Sequence, residues 1–413
     1  MATRQAERLP SRGRTAVMPP ARRLLPAALL LLLAPPRTAV IAFNDVAVLP
    51  MDRPGFLEHQ TVIVTDGKVS AIGPTSGTRV PRGARLIDGE GRTLMPGLID
   101  AHVHMRSVDV PAYVASGILT VRNMWGHEGI KRLQRDIASG QLTGPTIYSL
   151  SPGLDASPGS WPFTQFVDDA SEADSVVAAQ EAAGWTTIKV YQHLSSAAFD
   201  SIVASVQRRH LRFAGHVPTA VTIQHALTTG MESIEHYTGY DRAVSRSGKG
   251  GIFGWADAEP ATFPALVDAT VHSGTWNCPT MAINAILARQ LGSEAQGRVV
   301  ENRRRFTKAL HQGGARLVAG TDAGINVTAA GTSMLDELRE FVAAGFSNWE
   351  ALRLATIEPG RLLGVPRLGT VSVGAPAELL LLKGNPVENL GVLESPAGVL
   401  LHGEWIDSEA LRQ

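Results

Sequence analysis

The chain has 413 residues, and 38 lysines and arginines balance 38 aspartates and glutamates, so it carries no formal net charge. That balance argues against nucleic acid or an acidic polymer as its main partner and favours a small, fairly neutral substrate. The length permits a large core and more than one domain, and the single cysteine, Cys278, excludes an internal disulfide.

In chain order, six arginines (Arg4, Arg8, Arg12, Arg14, Arg22 and Arg23) precede an apolar run from Leu24 to Ala34, broken only by Pro26. Small or turn-forming residues follow. This is the layout of a signal peptide over residues 1–39, with cleavage near residues 34–40 and export to the periplasm or beyond. The run is shorter than the roughly 20 residues of a membrane span, and no nearby cysteine can carry a lipid. No stable membrane span is therefore expected after cleavage. Met18 is a second candidate start, Arg22-Arg23 partly matches a twin-arginine signal, and an uncleaved interfacial anchor is the alternative.

Residues 40–92 alternate short apolar runs. Thr61–Thr65 and Val69–Ile72 flank Asp66-Gly67-Lys68, which predicts a β-hairpin. Residues 93–368 alternate strand-like runs with helical stretches at 170–183, 195–209, 294–312 and 333–344. That βα repetition over roughly 270 residues matches the size of a (β/α)8 barrel. Residues 153–161 and 239–254 read as long loops at the mouth of such a barrel. Residues 369–413 return to short β runs at 369–373, 378–382 and 398–405. Two β-rich ends around an α/β middle predict one composite domain built from both termini.

The chemistry-bearing residues sit at the ends of apolar runs. In Met95-Pro-Gly-Leu-Ile-Asp-Ala-His-Val-His104, side chains two apart on a strand share a face, so His102 and His104 project together as half a metal site. Thr186-Thr-Ile-Lys189, Phe213-Ala-Gly-His216, Glu232-Ser-Ile-Glu-His236 and Leu317-Val-Ala-Gly-Thr-Asp322 supply the rest, where a parallel barrel collects its chemistry. The twenty-residue step from His216 to His236 suits a strand, a helix and the next strand. The other histidines (59, 127, 193, 210, 225, 272, 311 and 402) lack such settings and read as structural or surface residues.

Taken in order, the His-x-His after Pro-Gly-Leu-Ile-Asp, Ile-Lys-Val-Tyr, Gly-His-Val-Pro, Ile-Glu-His and Gly-Thr-Asp-Ala-Gly resemble the amidohydrolase superfamily. The likeness covers residues 40–413 and is to binuclear members related to imidazolonepropionase, ochratoxinase and the Xaa-Pro and Xaa-Arg dipeptidases. It implies a (β/α)8 barrel beside a small β-sandwich made from both chain ends, and two divalent ions, with zinc the best match to the ligands. His102 and His104 would hold the more buried ion and His216 and His236 the second. Lys189 would bridge both as a carbamate formed with carbon dioxide, the alternative being an unmodified lysine paired with Asp322 or another carboxylate. Asp322 would ligate metal and move the proton between water and the leaving nitrogen, the alternative being a helix N-cap.

Three places depart from the resemblance, and all are expected on the substrate side: Arg122-Asn123, Pro158-Gly-Ser-Trp161 and Leu335. Tyr191, on the face of Lys189, either touches substrate or packs within the barrel. The sequence thus predicts an exported, metal-dependent hydrolase of an amide-type carbon–nitrogen bond in a small molecule or dipeptide, of undetermined oligomeric state. Lactone or ester hydrolysis at the same site, or binding on a retired enzyme fold, are the alternatives.

Overall fold

A computed structural model describes residues 40–159, 161–325 and 327–412. The expected signal segment, residues 1–39, lies outside the described residues. No helix among the described residues is long and apolar enough to cross a membrane.

The two chain ends meet in one eight-stranded sheet. Val40–Val48 pairs antiparallel with Leu57–Thr65, which turns back into Lys68–Pro74. The turn is the expected one: Asp66 and Gly67 both take positive φ (51° and 69°), the backbone that two-residue hairpins require. From the other end, Leu379–Leu382 lies antiparallel between Thr93–Pro96 and Gly398–Leu401, and Glu404–Asp407 completes that edge. Residues 369–373 form no strand, contrary to expectation. Gly369 and Gly374 both have positive φ there, and the segment makes single backbone bonds instead, Val371 to Pro50 and Gly374 to Val69.

The middle of the chain forms two parallel sheets. One holds Leu98–Val103, Ile118–Asn123 and Thr146–Ser149; the other runs Gln165–Phe166, Gly153–Asp155, Thr187–Val190, Arg212–Gly215, Ser233–Glu235 and Trp276–Cys278. Parallel strands covered on both faces read as continuous apolar runs rather than alternating ones, and every residue of Leu98–Val103, Ile118–Asn123 and Thr187–Val190 is buried. Residues 317–323, expected as the last apolar strand, make only isolated parallel bridges, Leu317 to Asn277 and Ala323 to Val103.

The expected helices appear at Ala173–Ala182, Ser196–Arg208, Ser293–Gly313 and Ser333–Ala343. Ser195 caps the second, its hydroxyl accepting from the Ala198 amide at 3.1 Å. Of the expected loops, residues 153–161 begin with the strand Gly153–Asp155, and residues 239–254 contain the helix Tyr240–Val244 and most of the helix Gly251–Ala256. Their glycines suggested a loop, but Tyr240, Val244, Ile252 and Trp255 are all buried, and that apolar face winds the chain.

Those residues feed an aromatic cluster directly behind His236. Phe306 stands at its centre, 5.3 Å from Tyr237, 5.2 Å from Tyr240, 5.5 Å from Trp255 and 5.1 Å from Phe263 between ring centroids. Phe306→Ala is expected to lower unfolding stability by about 3–5 kcal/mol, the usual effect of emptying a buried aromatic site. A urea titration giving a loss under about 1 kcal/mol would show that the cluster collapses to refill the space.

Candidate metal centre

Four histidines and an aspartate converge where the parallel strands end. His102 Nε2 and His104 Nε2 lie 3.2 Å and 3.1 Å from the same oxygen, Asp322 Oδ1. The His236 ring packs 4.5 Å from His102 and 5.0 Å from His216, which completes the group. Atoms of His102, His236 and Asp322 come within 4.8 Å of one another, a spacing that one ion can span. His102 Nε2, His216 Nδ1 and Asp322 Oδ1 are all buried without a hydrogen-bond partner. Buried polar atoms are normally paired, so a set of lone pairs aimed at common ground fits a cation.

Neighbouring groups set the tautomers. His102 Nδ1–H donates to Glu235 Oε2 at 2.7 Å, leaving the Nε2 lone pair towards Asp322. The Thr280 hydroxyl donates to the Pro279 carbonyl at 2.7 Å, so its lone pairs accept His236 Nδ1–H, also at 2.7 Å. Both arrangements match those of metal-binding imidazoles held by a second hydrogen bond. His236, Thr280 and Asp322 all take left-handed backbone angles (φ 60°, 48° and 57°), and such strained residues persist only where surrounding structure over-determines them. Gly324, at φ 104°, lets the chain pass where a Cβ would lie 1.8 Å from the His104 carbonyl oxygen. The expected backbone room beside Asp322 is thus used. Asp322 caps no helix, since the next one begins at Ser333.

Burial shapes the charges. It pushes the Lys189 amine down to about 8 although Glu235 and Asp322 favour its charged form, and it pushes His236 down to about 3. Burial also carries His216 well below the ordinary imidazole range. Burial alone would raise the Asp322 carboxyl, but His236, His102 and His104 hold it well below the carboxylate range. Burial thus favours the neutral form of His104, His216 and His236, whereas Asp322 and Glu235 overcome burial to raise His102, and these rings share one buried space with an anionic carboxylate and a partly neutral amine. Gly215 makes room for the lysine, because a Cβ there would meet Lys189 Cδ at 3.0 Å.

The centre opens into a cavity of about 570 Å³ whose lining includes His104, His216, His236, Asp322, Trp161 and Tyr191. Tyr191 packs its ring 4.2 Å from His216, and its hydroxyl accepts from Trp161 Nε1 at 2.6 Å. Trp161 also stacks on His104, 5.8 Å away and 14° from parallel. Of the Pro158–Trp161 departure, Trp161 therefore is at the mouth, and residues 239–254 add Asp241 and Arg242 to it. None of the other eight histidines lines the cavity.

Arg122-Asn123 and Leu335 do not line it, contrary to expectation. Arg122 points into the buried interior and pairs with Glu235 (3.2 Å) and Glu232 (3.3 Å). Asn123 is consumed by the Met105 amide, the Trp125 carbonyl and the Ser149 hydroxyl. Leu335 lines a separate cavity with Leu98, Ser116 and Leu393. Sequence reasoning missed Glu235 and Asp100. Asp100 accepts from the Thr321 hydroxyl at 2.6 Å and amide at 3.0 Å, tying residues 317–323 to the strand that carries His102. The available signal was an acid inside an apolar run, since a buried carboxylate needs a partner.

The model described as the amidohydrolase family matches residues 93–406. The chain belongs to that family. Among solved structures, this amidohydrolase-family chain is similar to a bottromycin amidohydrolase, with 26% identity, coverage of 91% of this chain and 88% of that one, and a TM-score of 0.71. A candidate prolidase from Bifidobacterium longum shares the fold at 24% identity, with coverage of 89% and 94% and a TM-score of 0.74. Adenine deaminase from Paracoccus denitrificans is 38% identical over 88 residues, 18% of this chain and 15% of that enzyme. The matches span 12% to 30% of the curated relatives' lengths.

Glu337 supports the centre from behind. Fully buried, it accepts from the amides of Met281 (2.9 Å) and Ala282 (2.8 Å), which start the helix following Thr280. Burial pushes its carboxyl up to about 8 from an ordinary 4.5. The folded chain therefore holds a proton there that the unfolded chain releases. The associated stability is complete below the ordinary value and is lost as pH rises through the folded one. Glu337→Gln is expected to flatten the decline of stability between pH 4.5 and about 8; an unchanged slope in thermal melts would assign the decline to other groups.

Proposed function

We propose that the chain is a metal-dependent hydrolase of an amide-type carbon–nitrogen bond in a small molecule or dipeptide. The observation that carries this reading is the meeting of His102 Nε2 and His104 Nε2 at Asp322 Oδ1, with partnerless buried atoms aimed into it, on the floor of a cavity of about 570 Å³. We read the fold as a (β/α)8 barrel over residues 93–368, supported by the bonds that set residues 317–323 between Trp276–Cys278 and Leu98–Val103. Residues 40–92 and 369–413 are read as a composite β-sandwich, supported by their shared sheet.

His102, His104, His216, His236, Asp322 and Lys189 as its carbamate would hold two divalent ions, zinc by ligand type, which polarise a carbonyl and acidify water. The lowered amine of Lys189 fits the modification: its nitrogen forms a bond to carbon dioxide and releases one proton to solvent. Asp322 takes the proton of the attacking water and passes it to the leaving nitrogen. Tyr191 has its oxygen occupied as an acceptor from Trp161, so its own O–H donates to the substrate carbonyl oxygen. Burial pushes that phenol up to about 12, so it stays protonated. Export through residues 1–39 is part of this reading, tested by N-terminal sequencing of protein recovered outside the cytoplasm.

Elemental analysis of active protein is expected to find about two divalent ions per chain, and chelation should abolish a turnover that added zinc restores. Active protein free of transition metal would overturn the reading. A screen of dipeptides, N-acyl amino acids and matched esters separates amide from ester hydrolysis. With a substrate in hand, Asp322→Asn is expected to lower kcat by roughly 10²- to 10⁴-fold, with metal measured on the same sample. Normal turnover by a fully loaded variant would place the proton shuttle elsewhere. Lys189→Ala should lose metal and activity together.

A further inference from the structure

A file of charged side chains runs from His102 away from the cavity to the far end of the strands. Glu235 Oε2 receives His102 Nδ1–H at 2.7 Å, while its other oxygen accepts from the Ser233 hydroxyl at 2.5 Å and Arg122 Nη1 at 3.2 Å. Arg122 forks, its Nη2 donating to Glu232 Oε2 at 3.3 Å, and Glu232 Oε1 accepts from Arg212 Nη1 at 2.7 Å. Glu235 is fully buried and Arg122 nearly so, whereas the Arg212 side chain is 47% exposed. Arg122, Arg212 and Glu232 line a second cavity of about 360 Å³, apart from the candidate centre.

The geometry points to Arg122 as a positioning residue for the metal centre, acting through Glu235 to fix the ring of His102 from its buried side. This rests on the proposed metal reading of that centre. A carboxylate can turn about its stem. Arg122 and Ser233 hold Glu235 Oε1, which leaves Oε2 for His102 Nδ1–H and turns Nε2 towards Asp322. Arg122 also supplies the compensating charge that a buried carboxylate needs. Both recorded hydrogen bonds of Arg122 go to carboxylates, one on each prong of a planar fork. A lysine ammonium, a point charge on a flexible stem, does not reproduce that fork. Partners of this kind behind a metal-bound histidine typically change metal affinity by 10- to 100-fold.

The test uses the full chain and zinc itself. Zinc affinity is measured by competition with a chromophoric chelator for the wild type, Arg122→Met, Arg122→Lys and Glu232→Gln. The low-field proton resonance of His102 Nδ1–H is followed in zinc-free protein and assigned by its absence from His102→Gln. Arg122→Met is expected to bind zinc about 10- to 100-fold more weakly and to shift or broaden that resonance. Arg122→Lys should fall between it and the wild type, and Glu232→Gln, which leaves the Arg122–Glu235 arm in place, should stay within about threefold. A purely structural role would lower the melting temperature of Arg122→Met and leave zinc affinity and the resonance of the folded fraction unchanged. That result overturns the inference. Should Arg122→Met fail to fold, Arg122→Lys decides: several-fold weaker zinc binding supports the inference, and wild-type affinity overturns it. Wild-type protein that takes up no zinc would sink the metal reading; the resonance, lost or kept on replacing Arg122, then decides alone whether the arginine orients the ring.

Discussion

Two imidazole nitrogens brought within 3.2 Å of one carboxylate oxygen, at the largely buried base of a cavity, form the contact on which the surrounding structure depends. Left to themselves, such atoms would turn towards better partners, because a buried lone pair without a donor costs about 1–3 kcal/mol. Here they are prevented from turning. Glu235 grips the back of one ring, Thr280 grips another, and Asp100 ties the segment carrying Asp322 to the strand carrying His102. Three residues of the site pay in backbone strain for the orientation they keep.

The layers around the centre divide the labour. Parallel strands supply His102, Lys189 and the acids behind them and end one residue before His104, His216 and His236, while loops and short helices supply the mouth. Active sites on α/β folds are commonly built this way, with chemistry fixed by strands and selectivity carried by connections. Here the connections are aromatic near the proposed metal ligands. Trp161 spans from the His104 ring to the Tyr191 hydroxyl, so one indole touches both a proposed ligand and a proposed substrate donor.

The residues proposed as ligands stand out in the sequence because each closes an apolar run, and a polar residue at the end of a buried strand has few other uses. The hairpin at Asp66-Gly67 and the four long helices were legible for equally local reasons. What stayed hidden depends on contacts between distant strands. The resemblance puts Arg122 and Leu335 on the substrate side, yet one faces the interior and the other a different cavity. Glu235 was read as part of a motif without a task, since the motif does not reveal that its carboxylate meets a histidine 133 positions earlier. The glycines of residues 239–254 point to a loop, and the buried Tyr240 and Trp255 outweigh them.

The sheet shared by the two chain ends has a consequence for how the molecule is made. Thr93–Pro96 leads directly into the strand bearing His102, and its partner on one side is Leu379–Leu382, which leaves the ribosome only after the entire middle region. Until then Thr93–Pro96, which leads into the first strand of the site, has an open edge, the kind of surface that invites pairing with other chains. Such long-range closure is slow compared with local helix formation. Synthesis order therefore makes the last strands a latch: the site can be assembled from its own segments, but its foundation is secured last.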